Sequence, residues 1–183
     1  MKPAIPRSRV SRRIQPGVVG TALVVLLLDQ VTKFAVTQTL GQPGEIHSID
    51  IVGSWVRLSY TTNTGAAFGI FPTGTLFFTV VAIIAVPILL VARSYIADRS
   101  WWVTVVFGML VGGALGNLID RLRMGHVVDF IDVGIGDLRW PAFNIADSSF
   151  VIGVIILALF LGLSGERRGE LAGDDRPDQP HAV

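Results

Sequence analysis

The sequence predicts an all-α membrane protein, four transmembrane helices with a small extracytoplasmic β-sheet on the membrane surface. Three observations carry the prediction. With Gly counted among the apolar residues, about 60% of the 183-residue chain is apolar, against roughly 45 to 50% in soluble domains. Charged residues make up only 16%. They are also segregated: Thr75 to Ala92 and Trp101 to Ile119 contain no charge, and each stretch is long enough to cross a hydrocarbon core as a helix.

The first span, about Val18 to Val36, begins as an apolar run ending at Leu28 and then meets Asp29, Gln30 and Lys33. Arg7, Arg9, Arg12 and Arg13 ahead of an apolar run resemble a signal peptide, but Asp29-Gln30 follows where a small-x-small cleavage site should lie, so an uncleaved helix is expected. From Ile46 to Tyr60 the chain is rich in β-branched and aromatic residues. Gly53-Ser54 reads as a turn there, and Val56, Leu58 and Tyr60 alternate with Trp55, Arg57 and Ser59. The two charge-free spans follow. Val127 to Val133 adds a strand closed off by Gly134 and Gly136. The fourth span, about Ala142 to Leu163, is entered through Pro141, a residue suited to a first helical turn, and carries Asn144 and Asp147.

Ten of the fifteen basic residues lie before the first span, in the loop from Arg93 to Ser100, or after the fourth span. The positive-inside bias therefore puts both termini in the cytoplasm. The longer loops, roughly Thr37 to Gly74 and Leu122 to Trp140, then face outward, with Trp55 and Trp140 as interfacial anchors. The expected organisation is a basic cytoplasmic segment at 1–16, a membrane domain at 17–164 and a charged, Pro-containing tail at 165–183 that is cytoplasmic and disordered. The absence of cysteine excludes disulfides and thiolate chemistry. A net charge of +1 gives no ground for a nucleic-acid partner.

The aspartates carry the chemistry. An ionisable group at membrane depth costs roughly 2.5 to 3.5 kcal/mol on insertion scales, and Asp29, Asp120 and Asp147 all sit at or inside apolar spans. On the third span Gly113, Asn117 and Asp120 share one face, while Gly112 and Gly116 give the small-xxx-small spacing of close helix packing. Asn144 and Asp147 form an i, i+3 pair at the start of the fourth. A second carboxylate beside Asp147 would make a proton-sharing pair, one member activating water and the other polarising a carbonyl. Asp129, Asp132 and Asp137 in the preceding loop are all eligible, and spacing alone does not choose among them. The plainer reading of Asp147 is a helix cap or a partner for an arginine. Asp29 and Lys33, at i, i+4, suit a local ion pair. Asn63, in an Asn-x-Gly turn, could hydrogen-bond an extended peptide.

Other chemistries fit poorly. There is no His-Glu-x-x-His; His47, His126 and His181 are scattered; Ser148 and Ser149 lack a Gly-x-Ser-x-Gly elbow. Gly134-Ile135-Gly136-Asp137 imitates the Gly-x-Gly-Asp motif of presenilin-type proteases, but lies in a turn-rich loop rather than a membrane helix. No metal or other cofactor is implied. The alternative from another class is a small proton-coupled transporter or channel subunit relaying protons through Asp29, Lys33, Asp120 and Asp147. Such a relay needs polar positions through the full membrane depth, and the second span and the cytoplasmic halves of the others offer none.

Five segments together closely resemble the lipoprotein signal peptidases, or signal peptidase II, a bacterial family of membrane aspartic endopeptidases. They are Asp29-Gln30-Val31-Thr32-Lys33, Asn63 to Phe68, Gly112 to Arg121, Gly125-x-Val127-Val128-Asp129-Phe130 and Phe143 to Asp147, in that order within about residues 16 to 163. The resemblance implies a catalytic pair of Asp129 and Asp147, with Asp29, Lys33, Asn63, Asn117, Asp120, Arg121 and Asn144 holding the site or the substrate. It implies a plasma (inner) membrane enzyme acting at the extracytoplasmic face. The implied substrate is a prolipoprotein, cut just before its diacylglyceryl-modified cysteine; its lipid chains can lie between the helices in the bilayer, and membrane lipid is a further expected partner. Inhibition by the cyclic peptide globomycin is implied as well.

Overall fold

A computed structural model describes residues 15–41, 48–65, 74–96 and 100–174. The expectations for the basic segment, His47, His181 and the end of the tail lie outside these residues. The element order is α1 (Pro16–Leu40), β1 (Ser48–Val52), β2 (Val56–Asn63), α2 (Thr75–Tyr95), α3 (Trp101–Met124), β3 (Val127–Ile135), β4 (Leu138–Arg139) and α4 (Ile145–Asp174). All four helices are long and apolar enough to span a membrane.

The central helix is α3, which packs against α1, α2 and α4. Lipid is as apolar as a leucine side chain, so burying apolar surface inside a bundle contributes little, and close backbone approach has to supply the packing. Gly112 allows it: a Cβ there would lie 2.8 Å from both the Ala22 carbonyl oxygen and Val25 Cβ of α1. Gly113 does the same toward α4, against Ala146 and Phe150. On α1 the buried residues Val18, Ala22, Val25, Asp29, Lys33, Val36 and Leu40 form one stripe, spaced three or four apart. The apolar half of that stripe meets Val103 and Phe107 of α3. Its other half carries the two charges.

Arg93 is not a loop residue as the sequence suggested. It lies in the last turn of α2, buried, with its guanidinium donating to Gln15 Oε1 at 2.9 Å, to Thr104 Oγ1 at 3.3 Å and to the Ile96 carbonyl at 3.2 Å. Three hydrogen-bond acceptors at this end of the bundle offset its burial, so the helix need not stop at Ala92. The start of α4 also differs. Pro141 precedes the helix by four residues, because the Phe143 backbone exchanges hydrogen bonds with Ile131 and is held as a bridge to β3. Helix α4 then continues to Asp174, beyond the expected boundary at 164.

The four strands form a sheet in the order β1-β2-β3-β4, each neighbour antiparallel. Its turns fall at Gly53 and Gly136, whose φ values of +50° and +56° are left-handed and suit glycine. Register separates the faces. Ile49, Leu58 and Ile131 lie opposite one another, and the next rung is Asp50, Arg57 and Asp132. Leu58, Tyr60 and Ile131 pack on Val36, Leu40 and Phe130, seating the sheet on the end of α1. The charged rung is extended by Arg139, whose Nε lies 2.8 Å from Asp132 Oδ1, while Arg57 Nε lies 3.1 Å from Asp50 Oδ1. A register shift between Leu58 and Thr61 falls where β2 passes Asp129, the kind of irregularity that re-aims a side chain.

Candidate active site

The α4 start is a reciprocal cap. The Asn144 Oδ1 accepts from the Asp147 amide at 2.8 Å, and Asp147 Oδ2 accepts from the Asn144 amide at 3.2 Å. The plain expectation that Asp147 caps the helix is therefore met, but with one oxygen only. The other, Oδ1, accepts from Asn117 Nδ2 of α3 at 2.7 Å. Among the described residues no arginine forms an ion pair with Asp147.

Asp129 lies in β3 and is buried. Its Oδ1 accepts from Asn144 Nδ2 at 2.7 Å, and its Oδ2 accepts from Asn63 Nδ2 at 3.0 Å. Asn144 thus touches both carboxyl groups, Asp147 through its backbone and Asp129 through its side chain. Asn63 is oriented in turn by the Gly65 amide, which donates to its Oδ1 at 2.9 Å. Loss of solvation pushes the Asp129 carboxyl up from 3.8 to about 7; the negative charge of Asp147 adds to the rise, and the two amide hydrogen bonds and Lys33 offset part of it. The other eligible loop aspartates are differently engaged. Asp132 is paired with Arg139, and Asp137 is exposed beside the Gly136 turn.

Behind the two carboxyls sits a buried charge cluster. Lys33 Nζ is 2.8 Å from Asp29 Oδ2 and 2.8 Å from Asp120 Oδ2, so the expected local pair is a triad joining α1 to α3. Lys33 also donates to Asn117 Oδ1 at 3.1 Å. The remaining carboxylate oxygens hold main chain: Asp29 Oδ1 accepts from the Ala146 amide at 2.9 Å, and Asp120 Oδ2 from the Val128 amide at 3.3 Å. Gly116 makes room for this, since a Cβ there would lie 2.6 Å from Asp29 Oδ2. Arg121 sits at the margin. Its Nη2 donates to the Gly65 carbonyl at 3.4 Å, and its guanidinium lies 5.5 Å from the centre of the Phe78 ring.

All nine sequence-predicted site residues thus fall in one contiguous region. Gln30 was missed as a site residue. Its Nε2 lies 2.9 Å from Asp120 Oδ1 and 3.2 Å from Asp29 Oδ2. The available signal was its place between Asp29 and Lys33, beside a charge that had to be buried. Among the described residues no three His, Asp or Glu side chains are grouped as metal ligands.

A helical bundle that buries a cluster of carboxylates beside a surface sheet defines a membrane-embedded enzyme, and the comparisons with known proteins say of which kind. Residues 21–163 match the family model described as signal peptidase (SPase) II. The lipoprotein signal peptidase of Moorella thermoacetica is 43% identical over 148 residues, covering 81% of this chain and 94% of its own. That of Halothermothrix orenii is 44% identical over 139 residues, covering 76% and 90%. A solved bacterial membrane enzyme, 33% identical, superposes with a TM-score of 0.69 over 91% of this chain and 93% of its own. The chain belongs to the signal peptidase II family, a family of proteases.

Proposed function

We propose that this protein is an aspartic endopeptidase that removes the signal peptide from diacylglyceryl-modified prolipoproteins, with Asp129 and Asp147 as the catalytic pair. Signal-peptide removal from prolipoproteins follows from family membership. The catalytic assignment rests chiefly on one observation: Asn144 joins the buried Asp129 carboxyl to the half-buried Asp147 carboxyl, and the first has its acidity weakened to about 7, so that charged and neutral forms are both accessible near neutral pH.

In the proposed reaction the ionised member of the pair takes a proton from water, which attacks the scissile carbonyl carbon. The protonated member donates to the carbonyl oxygen, giving a neutral tetrahedral diol. On collapse a proton passes to the leaving nitrogen, the C–N bond breaks, and the pair again holds one proton. Asn63, Asn117 and Asn144 hold the carboxyl oxygens in place, while Arg121, whose Nε has no hydrogen-bond partner among the described residues, lies at the margin as a donor for a substrate carbonyl. The membrane orientation belongs to the same proposal: a plasma (inner) membrane enzyme with cytoplasmic termini and the site at the outer face, supported by the distribution of basic residues. We also include sensitivity to globomycin, and membrane lipid around the substrate's acyl chains.

The transporter alternative gains no support. Between Asp29 and the Gln15, Arg93 and Thr104 cluster at the other end, α1 buries Val18, Ala22 and Val25, and α3 buries Val106, Phe107, Leu110 and Val111, none of which relays a proton.

The test is the cleavage rate of one precursor with and without its diacylglyceryl group. Remote binding energy from the lipid positions the scissile bond, so the unlipidated precursor is expected to lose turnover as well as affinity. Equal rates would remove the lipid from the assignment.

A further inference from the structure

The two supporting carboxylates grip equivalent points. Asp29 accepts from the amide of Ala146, the residue immediately before Asp147, and Asp120 accepts from the amide of Val128, the residue immediately before Asp129. Whatever fixes Asp29 relative to Asp120 therefore fixes the backbone of one catalytic residue relative to the other. Two side chains span that gap, both from α1. Lys33 reaches Oδ2 of each carboxylate at 2.8 Å. Gln30 Nε2 reaches Asp29 Oδ2 at 3.2 Å and Asp120 Oδ1 at 2.9 Å, and lies 3.4 Å from the Gly116 carbonyl.

The bridges are not equivalent. An ammonium is a compact charge that attracts two carboxylates without fixing how either turns about it. Gln30 engages the second oxygen of Asp120, so the two bridges together hold both oxygens and stop that carboxylate rotating. It does so with an uncharged donor, adding no further charge to a cluster in which one ammonium already serves two carboxylates.

We propose that Gln30 is a positioning residue for peptide hydrolysis: with Lys33 it ties Asp29 to Asp120 and so sets the spacing of Asp129 and Asp147 from behind. This inference rests on the proposed assignment of that pair as catalytic. A displacement of about 1 Å in a catalytic group costs on the order of 100-fold in rate, so a small relaxation of the tie has a measurable effect.

The experiment uses the purified full-length chain in micelles with a diacylglyceryl-modified precursor, comparing Gln30→Met, Gln30→Glu, Asp129→Asn and Asp147→Asn with wild type. Rates are normalised to the folded fraction. Gln30→Met keeps the length and removes the donor; its kcat is expected to fall roughly 10- to 100-fold with KM little changed. Gln30→Glu supplies a donor only when protonated. Its activity relative to wild type is therefore expected to be lowest at alkaline pH and to recover as pH falls. The titratable groups facing that position are Asp29 and Lys33 on its own helix and Asp120 on α3, with Asp147 of α4 and Asp129 of β3 beyond Asn117 and Asn144.

A wild-type kcat in folded Gln30→Met overturns the proposal. If Gln30→Met does not fold, the Gln30→Glu pH series decides, and a constant ratio to wild type across pH overturns it. Inactive Asp129→Asn and Asp147→Asn beside a fully active Gln30→Met would leave the catalytic pair standing and remove only the spacer. Turnover by Asp129→Asn would remove the pair, and the spacer with it.

Discussion

Asp129→Asn should change how stability depends on pH, and in a direction opposite to that of an ordinary surface carboxylate. In the folded protein the Asp129 carboxyl is raised from 3.8 to about 7, chiefly by loss of solvation and then by Asp147. Between those two values the folded protein keeps a proton that the unfolded chain has released. Stability from this group is therefore greatest below about pH 4, falls as pH rises, and levels off above about pH 7. With one folded and one unfolded value, the loss between pH 5 and pH 8 is on the order of 2 to 3 kcal/mol. Asn cannot titrate, so the variant lacks that slope. It carries a different cost: Asp129 accepts from Asn144 on one oxygen and from Asn63 on the other, and Asn offers only one oxygen, leaving two amide donors face to face at about 1 to 3 kcal/mol. The variant should be the less stable protein at pH 5 and draw level with or pass wild type at pH 8, while cleaving nothing at either. Equilibrium unfolding of both proteins in the same micelle at the two pH values measures this. Asp147 is present in both, so to first order it drops out of the difference. Parallel pH dependences for the two proteins would refute the raised carboxyl.

Two further outcomes follow from the cluster behind the pair. Lys33→Met leaves two buried carboxylates without their cation and should destabilise the protein by about 3 to 5 kcal/mol, whereas adding Asp29→Asn and Asp120→Asn should recover much of that. A loss under about 1 kcal/mol on denaturant unfolding would mean that the triad contributes little. Gly116→Ala should cost roughly 1 to 3 kcal/mol and depress cleavage, because the new methyl meets Asp29 Oδ2 at 2.6 Å and Ala146 Cβ at 3.0 Å. Wild-type melting and turnover would show that α1 can shift to admit it.

Much of this could be read from the sequence because membrane burial makes unusual residues conspicuous. The two charge-free spans begin where expected, at Thr75 and Trp101, and the Gly53 turn is where β1 hands over to β2. Helix ends were less legible. The third span is expected to give way to a loop at Leu122, yet α3 runs to Met124 and ends at Gly125, whose left-handed φ and amide bond to the Arg121 carbonyl close the helix. Pro141 suits a first helical turn and so predicts too early a start for the fourth span; the Asn144-x-x-Asp147 capping pattern, also visible in the sequence, marks the observed one at Ile145. Asp129, Asp132 and Asp137 could not be separated by spacing, since what distinguishes them is tertiary: Asn144 meets the first, Arg139 pairs with the second, and solvent surrounds the third. Gln30 was hidden because an uncharged amide among charges draws no notice until its partners are seen.

The ladder of Asp50, Arg57, Asp132 and Arg139 across the sheet has a bearing on how substrate arrives. The four charges of this ladder alternate and cancel, so the ladder itself adds no net monopole at the sheet surface. A surface of that kind neither gathers nor repels ionic partners from a distance. If substrate enters beside this ladder, as the proposed function has it, the ladder gives no long-range steering, and adding salt should leave its contribution to the encounter rate almost unchanged.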